Sequence, residues 1–406
     1  MVAGVAEAAA TVLTEAGLRE SSAGPSSLLQ DFATQQHTNA FLRAFCFPTI
    51  QLPRPPEDDA ELADSVVLID KIGFIFQLSE RQSQVVSKAG DLEKWVANTV
   101  ARKGIKQIQN TRDLLRGYSG LSVVNYFGHR LSLTPKNPDD LVSIIIYRVP
   151  ANARAFRAAR FKKGRTGGFI HILRDADYFA IWEQFVTPAE LIDYFSFRRD
   201  MLVNWDPIVT PVSEEAMIGQ YLLEDYSSAP DKKFEKSMRS RRGRTAYEFA
   251  FVIDSLAAKI AAQESVYADT DHYSILAELA LLGRYEVKAL KQQLRFALET
   301  VRANRFELPF RIVSSRRDSG FLIVPVTLEF RDRALDALRS LSLASKHELD
   351  LPRQVGIGMW RNSEFIDIEW IFLEGTNDPN PELDARLARS YPFRRASEQL
   401  LPPIFV

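Results

Sequence analysis

The chain of 406 residues contains 46% hydrophobic and 25% charged residues and carries a formal net charge of -1 at pH 7. This composition is typical of a soluble globular protein and excludes a disordered, fibrous or membrane-embedded chain. The length favours two or three domains, and the near-neutral charge by itself predicts no binding partner.

The cysteine and histidine content limits the kinds of site that the chain can form. A single cysteine, Cys46, excludes a disulfide framework, and the five scattered histidines offer no zinc-binding spacing. Free thiols are usual in a reducing compartment, so we expect a cytoplasmic protein. No stretch reaches the roughly 18 apolar residues of a membrane span, so we expect no membrane partner.

The first third of the chain predicts a tail, a helix, a hairpin and a second helix. Residues 1–24 form the expected tail, in which Glu7 and Glu15 favour an amphipathic helix over a signal peptide. The segment LLQDFATQQHTNAFLRAF then predicts one helix over 28–45. The runs SVVLID and GFIFQL predict a β-hairpin. A helix over about 91–116 and two strand runs, LSVVNYFGHRLSL and LVSIIIYRV, follow.

The middle of the chain is expected to be mainly helical. A strand, GFIHIL, leads into the helical segments ADYFAIWEQF and AELIDYFSFRRDML, and a Thr-Pro pair typical of a helix start precedes the second. Further on, TAYEFAFVIDSLAAKIAA and HYSILAELALLGRYEVKALKQQLRFALETVRAN predict two helices, the latter about 30 residues long. So long a helix suits a spacer between domains or a seam between the subunits of a homo-oligomer.

The C-terminal part alternates between strand and helix patterns. Strand GFLIVPVTLEF, helix RDRALDALRSLSLASKHEL, strands RQVGIGMW and FIDIEWIFLE, and helix PELDARLARSY predict a compact α/β module. We therefore expect an α/β (α+β) protein with a tail at 1–24, a first domain at 25–150, a mainly helical domain at 151–304 and an α/β module at 305–406.

The hairpin carries the motif on which a functional interpretation depends. Asp64 precedes its first strand and Gln77 lies near the end of its second, with twelve residues between them. With the flanking helices, this arrangement resembles the restriction-endonuclease-like PD-(D/E)xK superfamily, in which an acid starts the second strand and an (E/Q)-x-K triplet ends the third. The resemblance covers about residues 25–150. It implies a metal-dependent DNA endonuclease, with Asp64 and Gln77 as ligands of Mg²⁺ and DNA as the partner.

The sequence departs from this motif at the third position of the triplet, where Ser79 replaces the lysine. Because a serine carries no cation to stabilise the attacking hydroxide, the site is degenerate. Glu80 or Arg81 would reach the same point only through a strand bulge, since one step along a strand turns the side chain to the other face.

The following helix offers a second source of the cation, as the resemblance implies for some members of the superfamily. Lys103 and Lys106 are three residues apart and share a helix face, and Gln107 lies four residues from Lys103. The candidate catalytic residues are therefore Asp64, Gln77, Lys103 and Lys106. In the alternative interpretation, Asp64 is an ordinary strand-edge residue and the two lysines belong to a solvated helix face.

The segments that flank the motif carry a further resemblance. The stretch FIFQLSERQ…EKWVANTVARKGIKQIQNT, with the downstream block FIHIL…FVTPAELIDYFSFRRDML, looks like a family of bacterial proteins with a degenerate nuclease-like N-terminus. This resemblance implies a role in phage defence or as mobile-element cargo, and a protein partner in a defence complex.

A basic run lies further along the chain. The segment DKKFEKSMRSRRGR at 231–244 holds seven Lys or Arg residues against two acids. Such a run is either a solvated loop or a surface that contacts a phosphate backbone. The candidate nucleic-acid-binding residues are Lys232, Lys233, Arg239, Arg241, Arg242 and Arg244.

Two hypotheses from different classes follow from these motifs. The first is a Mg²⁺-dependent DNA endonuclease with a degenerate active site, and the second is a non-catalytic module that keeps the nuclease fold for nucleic-acid binding or assembly. A Ser-His-Asp hydrolase is disfavoured because the sequence contains no G-x-S-x-G elbow.

Overall fold

The computed structural model describes residues 27–47, 49–51, 63–70, 72–81, 89–117, 121–133, 138–150, 159–163, 168–205, 212–236, 247–262, 270–314, 316–363 and 365–394. The chain divides into two compact units. The first comprises Met1–Arg244 with Glu264–Ala268, and the second comprises Thr245–Gln263 with Asp269–Val406. This division differs from the expected boundaries at 150 and 304, because residues 151–244 join the N-terminal unit and no separate helical unit is formed in between.

The described residues of the first unit form two β-sheets. Its strands are β1 (Cys46–Phe47), β2 (Thr49–Gln51), β3 (Ser65–Ile69), β4 (Ile72–Glu80), β5 (Leu121–Val124), β6 (Arg130–Leu133), β7 (Val142–Arg148), β8 (Phe161–Lys163) and β9 (Phe169–Arg174). The larger sheet has the order β1-β3-β4-β7-β9-β8, and β2-β5-β6 form a smaller one. In the larger sheet β4, β7 and β9 are parallel, whereas β1, β3 and β8 pair antiparallel with their neighbours. The mixed sheet and its helices confirm the expected α+β class.

Helices cover both faces of the larger sheet. They are α1 (Ser27–Thr38), α2 (Ala40–Phe45), α3 (Ala89–Trp95), α4 (Arg102–Gly117), α5 (Asp175–Gln184), α6 (Pro188–Asn204) and α7 (Glu214–Leu222). On one face, Val100 and Ile108 pack with Ile75 and Ile145 of the sheet. On the other face, aromatic rings of α1, α5 and α6 contact Phe74 and Phe76 of β4. This double coverage explains the continuous apolar runs of the parallel strands.

Among the helices expected in this unit, one is divided and another is continuous. The single helix expected over 28–45 is wrong, because Asn39 ends α1 and caps α2, its side chain accepting from the N–H groups of Phe41 and Leu42. A local side-chain acceptor here competes with continuation of the helix. The helix expected over about 91–116 is present as α3 and α4, joined without a break by a π-helical turn, Val96–Ala101.

The second unit is a four-stranded sheet with helices. Its strands are β10 (Phe310–Ser314), β11 (Ser319–Val326), β12 (Arg353–Asn362) and β13 (Phe365–Glu374), and its helices are α8 (Tyr247–Ala261), α9 (Thr270–Ala280), α10 (Arg284–Arg302), α11 (Ala334–Glu348) and α12 (Pro381–Arg389). The strand order is β10-β11-β12-β13, with β11 and β12 parallel and α11 connecting them. Strand β10 has no counterpart in the sequence prediction.

The long helix expected near residues 272–304 is wrong as one element. It is divided into α9 and α10 at Gly283, whose N–H donates to the Glu286 carboxylate at 2.7 Å. Glycine is among the residues preferred at an N-cap, and the Glu286 carboxylate three residues later satisfies its N–H, which the apolar periodicity alone did not show. Within the described ranges, no helix is long and apolar enough to cross a membrane.

Candidate functional site

Asp64 and Gln77 meet at one edge of the larger sheet. The ladder between β3 and β4 begins with Ser65 opposite Phe76, so Asp64 lies just beyond it, next to Gln77. Asp64 Oδ2 accepts the backbone N–H of Leu78 at 2.6 Å and the side-chain N–H of Gln77 at 2.5 Å. The carboxylate therefore continues the hairpin ladder with a side-chain acceptor where the backbone pairing stops.

Gln77 presents its amide nitrogen, and not its oxygen, to the carboxylate. Nε2 lies 2.5 Å from Asp64 Oδ2 and 3.2 Å from the carbonyl oxygen of Leu78. The reversed amide would place three acceptor oxygens together without a proton between them. Gln77 Oε1 is buried and has no hydrogen-bond partner among the residues that the structure describes. Asp64 and Gln77 thus form an acid–amide hydrogen bond.

The inner face of α4 closes this site. A Cβ atom on Gly104 would lie 3.4 Å from Gln77 Cγ and 2.8 Å from Ile145 Cδ1, so the missing side chain lets the helix approach β4 closely. Further along the same face, Thr111 Oγ1 accepts the N–H of Ala63 at 2.8 Å and donates to the Gln107 carbonyl at 2.9 Å. The helix therefore fixes the chain immediately before Asp64. Sequence reasoning missed Gly104 and Thr111, although both follow the buried spacing of the helix.

The structure does not bring Lys106 to this pair. Gly104 faces Gln77, and at 3.6 residues per turn Lys106 lies about 200° around the helix axis, on the outer face. Lys103 lies about 100° from Gly104, and both lysine side chains are exposed. Gln107 is buried and is nearer to the inner face. The catalytic role expected for Lys106 would require the helix to turn by half a revolution.

The residues at the end of β4 do not supply a replacement cation either. Ser79 pairs with Tyr147 of β7 and is half-buried on the same strand face as Gln77. Glu80 points to the opposite face, where it accepts from Ser27 Oγ at 2.6 Å and the Leu28 N–H at 3.1 Å at the start of α1. The Arg81 guanidinium lies 5.9 Å from the Trp95 ring centroid. The strand therefore ends without a bulge, so neither Glu80 nor Arg81 reaches the position that the lysine of the motif would occupy.

The donor set fits a resident Mg²⁺ poorly. Oδ2 of Asp64 is already engaged by two N–H donors, and the Gln77 oxygen is turned away from that atom. Hard divalent cations take oxygen ligands, with carboxylates among them. In the described part of the chain, no group of three or more His, Cys, Asp or Glu side chains is arranged to hold a metal ion.

The basic run at 231–244 is described only at its beginning. Lys232 and Lys233 form a short 3₁₀ turn and are exposed, with the Lys233 N–H donating to the Asp231 side chain at 2.8 Å. The remaining candidates of this run, Arg239, Arg241, Arg242 and Arg244, lie outside the described residues.

A second polar cluster, which the sequence analysis did not identify as a unit, lies inside the first unit. Arg198 of α6 is fully buried and donates to Glu214 of α7 at 2.7 Å. Its Nη1 lies 2.9 Å from Nδ1 of His171 on β9. Arg160 and Tyr194 also donate to the Glu214 carboxylate, at 2.6 and 2.5 Å. His171 is thus a core histidine with a partner, and the cluster joins β9, α6 and α7.

The charges of this cluster shift several pKa values. Burial favours neutral Glu214, but the guanidinium groups of Arg198 and Arg160 outweigh it and lower the pKa of that carboxyl to about 2. Burial, and then the charge of Arg198, hold the pKa of His171 well below its usual value. Burial and then the charge of Glu214 raise the pKa of Asp177 to about 6. The core of this cluster is closed to solvent, so removal of Glu214 would leave the Arg198 guanidinium buried without its carboxylate.

Comparison of the chain with models of protein families, with curated proteins and with solved structures gives no match.

Proposed function

We propose that the first unit is a PD-(D/E)xK-like module that binds nucleic acid and whose nuclease centre has become a structural hydrogen-bonded pair. The observation that carries this proposal is the engagement of Asp64 Oδ2 by the N–H groups of Leu78 and Gln77. A metal ion at Oδ2 would compete with these two N–H donors, which hold the carboxylate as part of the strand ladder.

The order of elements supports the superfamily assignment within this proposal. Helix α1, strands β1, β3 and β4, helix α4 and strand β7 occur in this order along the chain, with α2, β2, α3, β5 and β6 between them, and the four strands are adjacent in the larger sheet. Asp64 stands before the second of these strands, and Gln77 lies near the end of the third. This is the placement that the resemblance implies for the acid and for the first residue of the triplet. A role in phage defence is part of the same proposal and rests on the sequence resemblance alone.

Nucleic acid is the partner that the charges of the unit favour. The exposed Lys232 and Lys233 begin a run in which Lys and Arg outnumber acids by seven to two. Cations concentrated in a near-neutral chain are typical of contact with phosphates.

A second candidate function is a Mg²⁺-dependent DNA endonuclease, and one observation favours it. Gln77 Oε1 is buried without a hydrogen-bond partner within the described ranges, so this oxygen is not committed to another group there, although Nε2 and not Oε1 faces Asp64 Oδ2. In that alternative, Asp64 and Gln77 would hold the ion, which supplies a Lewis acid and an activated water.

Thermal unfolding with and without Mg²⁺ separates the two functions. Ligand binding to the folded state raises the unfolding temperature, so an endonuclease site predicts a Mg²⁺-dependent shift that Asp64→Ala removes. The binding module predicts no Mg²⁺-dependent shift in the wild type, together with a lower unfolding temperature for Asp64→Ala in EDTA. Ser79→Ala, on the same strand face, is the matched control and should unfold like the wild type. A Mg²⁺ shift that depends on Asp64 would overturn the binding-module proposal.

A further inference from the structure

The outer face of the helix over the candidate site carries a concentration of positive charge. Lys94, Arg102, Lys103 and Lys106 are exposed, and the sequence contains no acid from Lys94 to Arg112. Of these, Arg102, Lys103 and Lys106 belong to α4, and we call these three residues the basic stripe. We propose that the basic stripe binds the phosphate backbone of duplex DNA; this inference rests on the proposed nucleic-acid-binding function and names the surface that performs it.

Helix geometry places the stripe away from the Asp64–Gln77 pair. Relative to Gly104, which faces Gln77, the residues Arg102, Lys106 and Lys103 lie at about 160°, 200° and 260° around the axis of α4. These three cations therefore occupy a band about 100° wide on the side opposite the sheet. The lysines that the sequence analysis assigned to catalysis are thus directed to an external surface.

The spacing of the stripe suits neighbouring phosphates. At a rise of 1.5 Å per residue, the stripe extends about 6 Å along α4 from Arg102 to Lys106. Duplex DNA presents one charge per roughly 1.7 Å of its axis, so phosphates lie within reach of all three cations. Because the inner face of α4 is already fixed to β4, binding at the outer face orders side chains but not the backbone that carries them.

Uncharged donors are exposed in the turn that precedes the cations. Asn98 and Thr99 are exposed in the π-helical turn between Lys94 and Arg102. Side chains of this kind commonly donate to phosphate oxygens and fix the orientation of a protein on DNA. Single π-helical turns are uncommon and are frequent at functional sites, which agrees with a binding surface at this point.

The nearest acids in the sequence on either side of the stripe set its limits. Asp91 and Glu93 precede Lys94 in α3, and Asp113 follows Arg112 and pairs with Arg116. A duplex would therefore follow the central part of the helix, where only cations and neutral side chains are exposed.

Fluorescence anisotropy with a labelled duplex of about 20 base pairs, recorded from 50 to 200 mM NaCl, tests the inference. The variant R102Q/K103Q/K106Q should bind on the order of 10²-fold more weakly, and its log Kd against log salt slope should decrease by about 0.9 for each lost contact. The matched control K162Q/K163Q removes two exposed cations of β8 and should bind like the wild type. Asp64→Ala should also bind DNA like the wild type, because its site lies on the inner side of α4.

The possible results separate this inference from the function on which it rests. An unchanged Kd and salt slope in the stripe variant, with weaker DNA binding by R241Q/R242Q/R244Q, would overturn the proposed role of the basic stripe and leave the binding function in place. Wild-type protein that binds no duplex would overturn both. Preferential loss of poly-glutamate binding in the stripe variant would assign the surface to an acidic polypeptide and would also overturn the inference. Thermal unfolding of each variant verifies that the fold is kept.

Discussion

Replacement of Asp64 distinguishes a structural carboxylate from a catalytic one. In the structure, Asp64 Oδ2 is the acceptor for the backbone N–H of Leu78 and the side-chain N–H of Gln77. Asp64→Ala removes this acceptor and leaves both donors at the sheet edge without it. Asp64→Asn keeps an oxygen acceptor of similar shape but removes the charge. The two variants therefore test the hydrogen bonds and the charge separately.

The size of the effect follows from the two bonds. A hydrogen bond to a charged group contributes about 1.5–3 kcal/mol, and an unsatisfied buried donor costs about 1–3 kcal/mol. Asp64 itself is half-buried, so water can replace part of the lost interaction. We expect a loss of about 2–3 kcal/mol in the free energy of unfolding for Asp64→Ala and about 1 kcal/mol for Asp64→Asn.

Amide hydrogen exchange is the assay of choice, because a chain with two units need not unfold in one step. The amide of Leu78 reports the bond directly, and a loss of 2–3 kcal/mol should accelerate its exchange about 30- to 150-fold in Asp64→Ala. Ser79→Ala should change the exchange of this amide little. Unchanged protection of Leu78, or a variant more stable than the wild type, would refute the reasoning. A gain in stability is the behaviour of a strained catalytic residue.

Four other variants or conditions test the same structure. Glu214→Ala should lower the free energy of unfolding by about 3–5 kcal/mol, since it leaves Arg198 buried without its carboxylate. Urea unfolding followed by circular dichroism measures this change. A loss below about 1 kcal/mol would contradict a structural role. The pKa of Glu214 is lowered from 4.5 to about 2, so the contribution of its charge to the free energy of unfolding is complete above pH 4.5 and is lost as the pH falls towards 2. Unfolding temperatures that stay constant over this pH interval would contradict this prediction. Gly104→Leu should lose about 1–3 kcal/mol by overpacking against Ile145 and Gln77, whereas Gly104→Ala should remain within about 1 kcal/mol of the wild type. Ser79→Lys restores the triplet of the motif but should not produce plasmid nicking, because Asp64 and Gln77 remain bonded to each other; nicking that EDTA abolishes would show that only the cation was missing.

The hairpin could be predicted because strand periodicity is local. Two apolar runs with a short connection define the register, and a period of two then puts Asp64 and Gln77 on one face. The direction of the Gln77 amide could not be predicted, since it depends on the carboxylate and on the Leu78 carbonyl together. Sequence spacing therefore identified which residues meet, but not whether their oxygens or their N–H groups face each other.

Neither the rotation of α4 about its axis nor the buried cluster could be predicted from the sequence, for different reasons. The π-helical turn Val96–Ala101 shifts the phase of the helix, so the apolar stripe counted from Leu92 did not identify Gly104 as the inner position. Thr111 and Gln107 are buried although they are polar, and a pattern based on apolar residues overlooks them. The contact of Arg198 with Glu214 joins two helices, and neither helix alone indicates that its charge is buried.

Electrophoresis of a labelled DNA duplex incubated with the protein and Mg²⁺ tests the central claim most directly, since one gel displays both binding and cleavage. A non-catalytic binding module predicts a retarded complex whose DNA is intact after removal of the protein, with the same result for Asp64→Ala and in EDTA. Cleaved DNA that disappears in EDTA and in Asp64→Ala would contradict this prediction and establish the endonuclease instead.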